Sequence, residues 1–243
     1  MNSEKELLIY GKRAVYEAIE NDIEIDKVFL QKNNSYLDNI KSKIHKKNIQ
    51  VSFVPIEKLN KLTKNNHQGI VATISPISTL DINGLEGKLK NTKSLLILVL
   101  DGITDTKNFG AIIRSAECFD VDLIIIPKTG SSPINGETIK SSSGAIFNVP
   151  ICKVNHIKDA IFLLKENEIN LVGTSDKGLS SLYEHKFNSR TAIIIGSEGQ
   201  GVNKSVLKLC DQVVNIVMQG KISSLNVSVA TGIFLSEFRR QLN

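Results

Sequence analysis

Leu95-Leu-Ile-Leu-Val-Leu100, Leu123-Ile-Ile-Ile126, Leu171-Val172 and Ala192-Ile-Ile-Ile195 are short, nearly unbroken apolar runs separated by polar segments. A strand with one wet face alternates apolar and polar residues, and these runs do not alternate. They read as strands buried on both faces, which is the pattern of a parallel sheet covered by helices. Between them, Asn108 to Phe119, Ile157 to Asn167 and Asn203 to Cys210 supply crossover helices, and a last helix follows Leu225 and runs to Arg239-Arg240. The fold class is therefore α/β.

Upstream the texture differs. Lys27 to Gln31, Ile49 to Pro55 and Gly69 to Ser75 read as strands, and Tyr36 to Lys47 and Ile56 to Thr63 as helices, giving a small α/β unit. In the first of those helices Leu37, Ile40 and Ile44 recur at helical spacing, and Lys41, Lys43, Lys46 and Lys47 fall elsewhere. That basic face fits RNA contact, but an ordinary solvated helix face is the better reading. From Pro76 to Lys93 the periodicity weakens and Pro, Ser, Asn and Gly collect, as in a connector. The expected division is residues 1–75, a linker at 76–93 and a larger domain at 94–243.

Composition sets outer bounds. With 243 residues, 41% hydrophobic and 23% charged, the chain is globular rather than disordered. Cys118, Cys152 and Cys210 are far apart, form no C-x-x-C pair and lie among apolar neighbours, which implies reduced packing thiols rather than a disulfide framework or zinc site. A charged N-terminus and apolar runs too short to span a bilayer lead to the expectation of a cytoplasmic protein with no membrane partner. The net charge of +5 fits a polyanionic partner without requiring one.

In an open parallel sheet the chemistry gathers beyond the carboxyl ends of the strands. Three such loops stand out. Asp101 to Asn108 leads into a helix on which Phe109, Ile112, Ile113, Ala116 and Phe119 share one arc, and Arg114 lies nearly opposite, outside the core stripe. Gly196-Ser-Glu198-Gly199-Gln-Gly201 is a glycine-rich turn after a buried strand, and matches neither a dinucleotide fingerprint nor a phosphate loop. Ser224-Leu-Asn226-Val-Ser228 precedes the last helix. Each has a purely structural reading as well: Asn108 as a helix cap, Arg114 as a surface arginine, the glycines as a plain turn, Ser224 and Asn226 as caps.

Taken together, Asn108-x-Gly110-x-x-x-Arg114, Gly196-Ser-Glu198-Gly199-x-Gly201 and Ser224-Leu-Asn226-Val-Ser228-x-Ala230 resemble, in order and spacing, the three signature motifs of the SpoU/TrmH branch of the SPOUT methyltransferases. Ile9-Tyr-Gly11-Lys-Arg-Ala-Val15 and Asn66-His67-Gln68-Gly69-Ile70 are similar to the opening and closing signatures of that family's L30e-like RNA-binding domain. One departure is Lys12-Arg13, where relatives often carry a His before the Ala-Val.

The resemblance implies a C-terminal SPOUT domain with a trefoil knot and a homodimer whose active site draws on both subunits. It implies S-adenosylmethionine as methyl donor, no metal, and RNA as substrate, most closely a guanosine of 23S rRNA. Members acting on tRNA, or a non-catalytic RNA-binding scaffold of the same fold, are the alternatives. By the same resemblance Gly196, Ile216 and Leu225 hold the cofactor, with Thr174 a weaker candidate, and Arg114, Asn108, Glu198, Ser224 and Asn226 form the catalytic group. The resemblance nominates Arg114 as general base, which is demanding because a guanidinium keeps its proton at neutral pH. Either substrate phosphate, Ser224 and Asn108 orient it to accept or relay the proton, or it clamps phosphate and the proton leaves to solvent.

Overall fold

The computed structural model describes residues 6–90, 92–178, 180–222 and 224–242. In chain order the first elements are β1 (Leu7–Tyr10), α1 (Lys12–Glu20), β2 (Ile25–Gln31), α2 (Asp38–Lys46), β3 (Val51–Val54), α3 (Ile56–Leu62) and β4 (Ile70–Ile74). There follow α4 (Ile82–Leu89), β5 (Leu95–Asp101), α5 (Thr106–Cys118), β6 (Leu123–Pro127), α6 (Gly136–Ser141), β7 (Ile151–Val154), α7 (Ile157–Glu166) and β8 (Asn170–Thr174). The last are β9 (Ser180–Ser181), β10 (Arg190–Gly196), α8 (Lys204–Leu207), β11 (Gln212–Asn215) and α9 (Val227–Leu242). They gather into two units, one holding residues up to Ser78 with Pro133–Asn148, the other Thr79–Ser132 with Val149–Asn243.

The first unit is a four-stranded sheet in the order β1-β4-β2-β3. β4 runs antiparallel to both β1 and β2, and β2 is parallel to β3. The helix expected over Tyr36 to Lys47 is split into a 3-10 turn at Ser35–Leu37 followed by α2. Its apolar stripe is buried as the spacing predicts: Leu37, Ile40 and Ile44 are all within the core. Its basic face is largely neutralised, since Lys41 pairs with Asp38, Lys43 with Glu20 and Lys47 with Asp22. The solvated-face reading of those lysines thus has the better support.

Residues 133–148 are the surprise in this unit, because they come from the middle of the larger sequence segment. α6 packs on β1, so closely at Gly136 that a Cβ there would overlap the Leu8 carbonyl and crowd the Tyr10 ring. No periodicity signals this; the signal is one glycine whose neighbours are remote in sequence.

The second unit is a seven-stranded sheet in the order β7-β6-β5-β10-β8-β11-β9. Every pair in it is parallel, as the unbroken apolar runs predict. Leu95 to Leu100 are buried throughout, and on one face of the sheet Leu95, Ile97 and Val99 share a core with the fully buried Leu171, Ala192 and Ile194. Within the stretch read as connector, α4 is a regular helix, and Leu85 and Leu89 are buried in that core. Asp81 caps it by accepting from the Gly84 N–H at 2.9 Å. The glycines that suggested a linker are carried inside a short amphipathic helix, where burial of two leucines offsets their poor helix propensity.

The cysteines divide in a way that the sequence does not reveal. Cys152 is buried and Cys210 partly so, but Cys118 is exposed, which corrects the expectation that all three are packing thiols. Burial pushes the Cys152 thiol up to about 11, aided by nearby Asp81, and does the same for Cys210, aided by Asp211. At pH 8 roughly one such thiol in a thousand is ionised, and the thiolate is the reactive form. Iodoacetamide on the native protein should therefore label Cys118 alone within minutes, and all three only in denaturant. Peptide mass spectrometry reads the result, and rapid native labelling of Cys152 would contradict its burial.

Candidate active site

β5 and β10 are neighbours in register, with Gly196 opposite Asp101, so the loops that follow them leave the sheet at one level. The turn after β10 folds back on itself. Gly201 N–H donates to Ser197 O at 2.9 Å, and Gly199 and Gly201 adopt φ of +84° and +67°. Gly196 is obligatory for a different reason: a Cβ there would overlap the backbone of Gly201 and Val202. The turn is therefore a fixed structure that points Glu198 outward from the strand end.

Glu198 meets the other two motifs through one side chain. Asn226 Nδ2 donates to Glu198 Oε1 at 2.8 Å and to Asn108 Oδ1 at 2.9 Å. The Val227 N–H also reaches Glu198 Oε1, at 3.4 Å. Meanwhile Asn226 Oδ1 accepts from Ser228 N at 3.0 Å, Ser228 Oγ at 2.6 Å and Val229 N at 3.4 Å, which caps α9. Asn226 thus caps α9 with its oxygen and bridges the other two motifs with its nitrogen.

Asn108 is not the cap of its helix. Asp105 holds that position, accepting from the Asn108 N–H at 2.7 Å. An ionised carboxylate suits the positive end of a helix better than an amide. The helix starts two residues earlier than expected, and the Asn108 side chain is left for Asn226.

Arg114 lies on α5 opposite the buried Phe109, Ile112, Ile113 and Ala116, and is exposed, as the helical wheel predicts. It stands six residues, about 9 Å of helix axis, beyond Asn108. Among the described residues neither the Arg114 side chain nor that of the exposed Ser224 makes a hydrogen bond or ion pair. The structure therefore joins Asn108, Glu198 and Asn226 and leaves Arg114 and Ser224 outside that cluster.

The four residues nominated for the cofactor converge by topology. β10, β8 and β11 are adjacent in the sheet, so Gly196 and Thr174 at two strand ends and Ile216 just after the third lie beyond the same edge. Leu225, 39% exposed, immediately precedes Asn226. The Thr174 hydroxyl donates to Ile194 O at 2.9 Å, so it serves the sheet. Next to Ile216, the side-chain oxygen of Asn215 is buried with no partner, while its nitrogen donates to Gly178 O at 2.7 Å. A buried acceptor without a donor fits a site for a ligand bearing N–H groups. Among the described residues no three His, Cys, Asp or Glu side chains are placed to hold a metal ion, and no helix is long and apolar enough to cross a membrane.

Sequence reasoning missed a polar cleft of about 390 Å³ lined by Asp101, Gly102, Ser197, Gln200, Gly201, Val202, Asn203 and Lys204. Asp101 Oδ2 accepts from the Asn203 N–H at 2.8 Å across it. Its signal was available: Asp101 is the first polar residue after the longest apolar run.

If Asn226 both caps α9 and bridges two motifs, the two roles should separate by substitution. Asn226→Ala loses both, whereas Asn226→Ser keeps a cap and should recover about 1 kcal/mol in urea unfolding. The deficit remaining between Asn226→Ser and the wild type measures the bridge. Equal stability of those two proteins would mean that the bridge contributes nothing to folding.

Comparison with known proteins fits this geometry. The SpoU rRNA Methylase family model matches residues 95–236, and a model described as RNA 2′-O ribose methyltransferase substrate binding matches residues 8–80. A Staphylococcus saprophyticus protein named for the TrmH family of tRNA/rRNA methyltransferases is 34% identical over 242 residues, covering 98% of this chain and 97% of its own. The 23S rRNA (guanosine-2′-O-)-methyltransferase RlmB of Yersinia pestis is 39% identical over 175 residues, 72% of this chain and 71% of its own. In fold the chain is similar to the crystal structure of the SpoU methyltransferase AviRb from Streptomyces viridochromogenes in complex with AdoMet, with a TM-score of 0.80 at 22% identity over 98% of this chain and 90% of that one. The chain belongs to the SpoU rRNA methylase family.

Proposed function

We propose that the protein transfers the methyl group of S-adenosylmethionine to a ribose 2′-hydroxyl of RNA, at a guanosine of 23S rRNA. The observation that carries this reading is the Asn226 side chain, which ties Asn108, Glu198 and the start of α9 into one cluster from three motifs far apart in sequence. The 23S rRNA guanosine specificity of the Yersinia pestis relative supports the substrate. The substrate-binding match over residues 8–80 supports RNA recognition by the first unit and chemistry by the second.

The reaction forms an O–C bond at the 2′-oxygen as an S–C bond breaks, leaves a thioether, and must dispose of the hydroxyl proton. S-adenosylmethionine, when bound, supplies the electrophilic methyl. Gly196, Ile216 and Leu225 would hold it, largely through backbone groups, and the unpartnered Asn215 oxygen fits an N–H donor of that ligand. Asn108, Glu198 and Asn226 fix the loops around the reacting atoms in one geometry, and orientation of this kind is worth several kcal/mol. Arg114, whose side chain has no partner among the described residues, grips the phosphate beside the target ribose and relays the proton, passing one of its own N–H protons to that phosphate as it takes the one from the hydroxyl. Ser224 assists at the same place.

We further assign a homodimer, a knotted second unit and a cytoplasmic location. Exposed Val217, Ile222, Leu225 and Val229, all in the stretch of chain that leads into the first turn of α9, support an apolar contact with a second subunit that completes the site near Arg114.

Calorimetry should register S-adenosylmethionine binding without added metal, and Gly196→Ala should abolish it. No binding at millimolar cofactor would remove the enzymatic reading. Because Arg114 is exposed, Arg114→Lys and Arg114→Ala should fold normally and bind cofactor, yet lose methyl transfer by at least about a hundredfold. Lysine keeps the charge and loses the planar fork. Near wild-type turnover in Arg114→Lys would reduce Arg114 to a replaceable phosphate contact.

A further inference from the structure

At one end of the first unit's sheet, three loops meet: Gly11-Lys12 after β1, Lys32 to Leu37 after β2, and His67 to Gly69 before β4. Tyr36 projects from the second of these with 84% of its surface exposed, the most exposed large apolar side chain among the described residues. An aromatic ring left in water costs stability unless something else uses it.

Yet the segment that carries the ring is pinned. Asn34 Oδ1 accepts from the Tyr36 N–H at 3.1 Å, the Asn34 carbonyl accepts from Lys41 Nζ at 3.2 Å, and Leu37 next to it is fully buried. Lys12 Nζ lies over the ring, 5.0 Å from its centroid. One face of the ring thus carries a cation and the other is open to solvent. Lys12 has no carboxylate partner among the described residues, in contrast to Lys41 and Lys43 on α2 and Lys47 just after it.

The third loop is strained toward the same point. Gln68 holds a left-handed backbone at φ +55°, unusual for a residue with a Cβ, and its side-chain oxygen accepts from the Lys12 N–H at 2.9 Å. That leaves the Gln68 amide nitrogen as an unpartnered donor beside Lys12. A flat open ring, a free cation and a free amide donor, all held in place, match the chemistry of an unpaired nucleotide: a base to stack, a phosphate to neutralise, an acceptor edge to bond.

We propose that Tyr36 is a stacking platform for one unpaired nucleobase of the RNA, with Lys12 holding the adjoining phosphate and the Gln68 amide nitrogen donating to the base edge. The proposal rests on the RNA reading above and names the residues and the single-stranded character of what the first unit takes. It assigns the RNA contact to the Lys12–Tyr36 corner rather than to Lys41, Lys43 and Lys47, whose charges are already balanced.

The test uses the full-length chain and a fluorescently labelled, unstructured oligouridylate, alone and annealed to oligoadenylate, across a salt series without cofactor. Tyr36→Ala should weaken single-strand binding roughly five- to a hundredfold with the salt slope unchanged, and Tyr36→Phe should restore it, since the ring and not the hydroxyl does the stacking. Lys12→Ala should lower the log–log salt slope by about 0.7, the share of one phosphate contact on a single strand. In methyl transfer on its RNA substrate, Tyr36→Ala should raise KM and leave kcat alone. Single-strand binding by Tyr36→Ala within twofold of wild type, or an equal loss on the duplex, overturns the platform. Absence of methyl transfer in the wild type would sink the proposed reaction instead, and the oligonucleotide result would stand apart from it.

Discussion

One asparagine amide ties three segments far apart in sequence together. At position 226 the side chain must accept from the first turn of α9 and donate in two directions, to Asn108 and to Glu198. Serine or aspartate caps a helix as well, but neither carries two donors on the same short stem. Glutamine carries them on a longer one that caps poorly. The residue type is thus set by two demands that belong to different levels, one local to α9 and one tertiary. The tertiary demand exists only because β5 and β10 are adjacent and in register, which brings the loop after each to the same height. The back-folded turn at Gly196 then determines where Glu198 stands.

Charge in the first unit follows a similar logic of partners rather than counts. α2 is rich in lysine, and on a helical wheel it is the obvious polyanion-binding face. Glu20, Asp22 and Asp38 are in reach of three of those lysines, so the face presents little free charge. Exposed pairs of this kind add little stability, about 0–1 kcal/mol each, but they do decide which cations remain available to a ligand. Lys12, paired with a ring instead of a carboxylate, remains available.

What was legible in the sequence was whatever depends on local periodicity. The unbroken runs at Leu95–Leu100 and Ala192–Ile195 specify strands buried on both faces, and the parallel sheet follows. The wheel around Phe109 specifies that Arg114 faces out, because burial of the stripe fixes the helix rotation. Asn108 was misread because capping is decided by where the first helical turn begins, and Asp105 with Thr106 and Lys107 supplies an earlier start. The connector at residues 76–93 was misread because its glycines mask an amphipathic pair, Leu85 and Leu89, that only a waiting core makes favourable. The catalytic roles of Ser224 and Arg114 came from the resemblance, and the cluster that Asn226 builds does not include them.

The return of residues 133–148 to the first unit changes how the two functions can be separated. The chain leaves that unit after Ser78, comes back at Pro133 and departs again after Asn148. Deleting residues 1–75 would remove β1, and with it the surface on which α6 packs at Gly136. The remaining fragment would carry a helix whose buried Ile139 and fully buried Thr138 had lost their cover, so a loss of activity in it would report damage as readily as a missing RNA contact. Single side chains at the surface, where neither core is disturbed, are the physically sound way to divide recognition from chemistry in this fold.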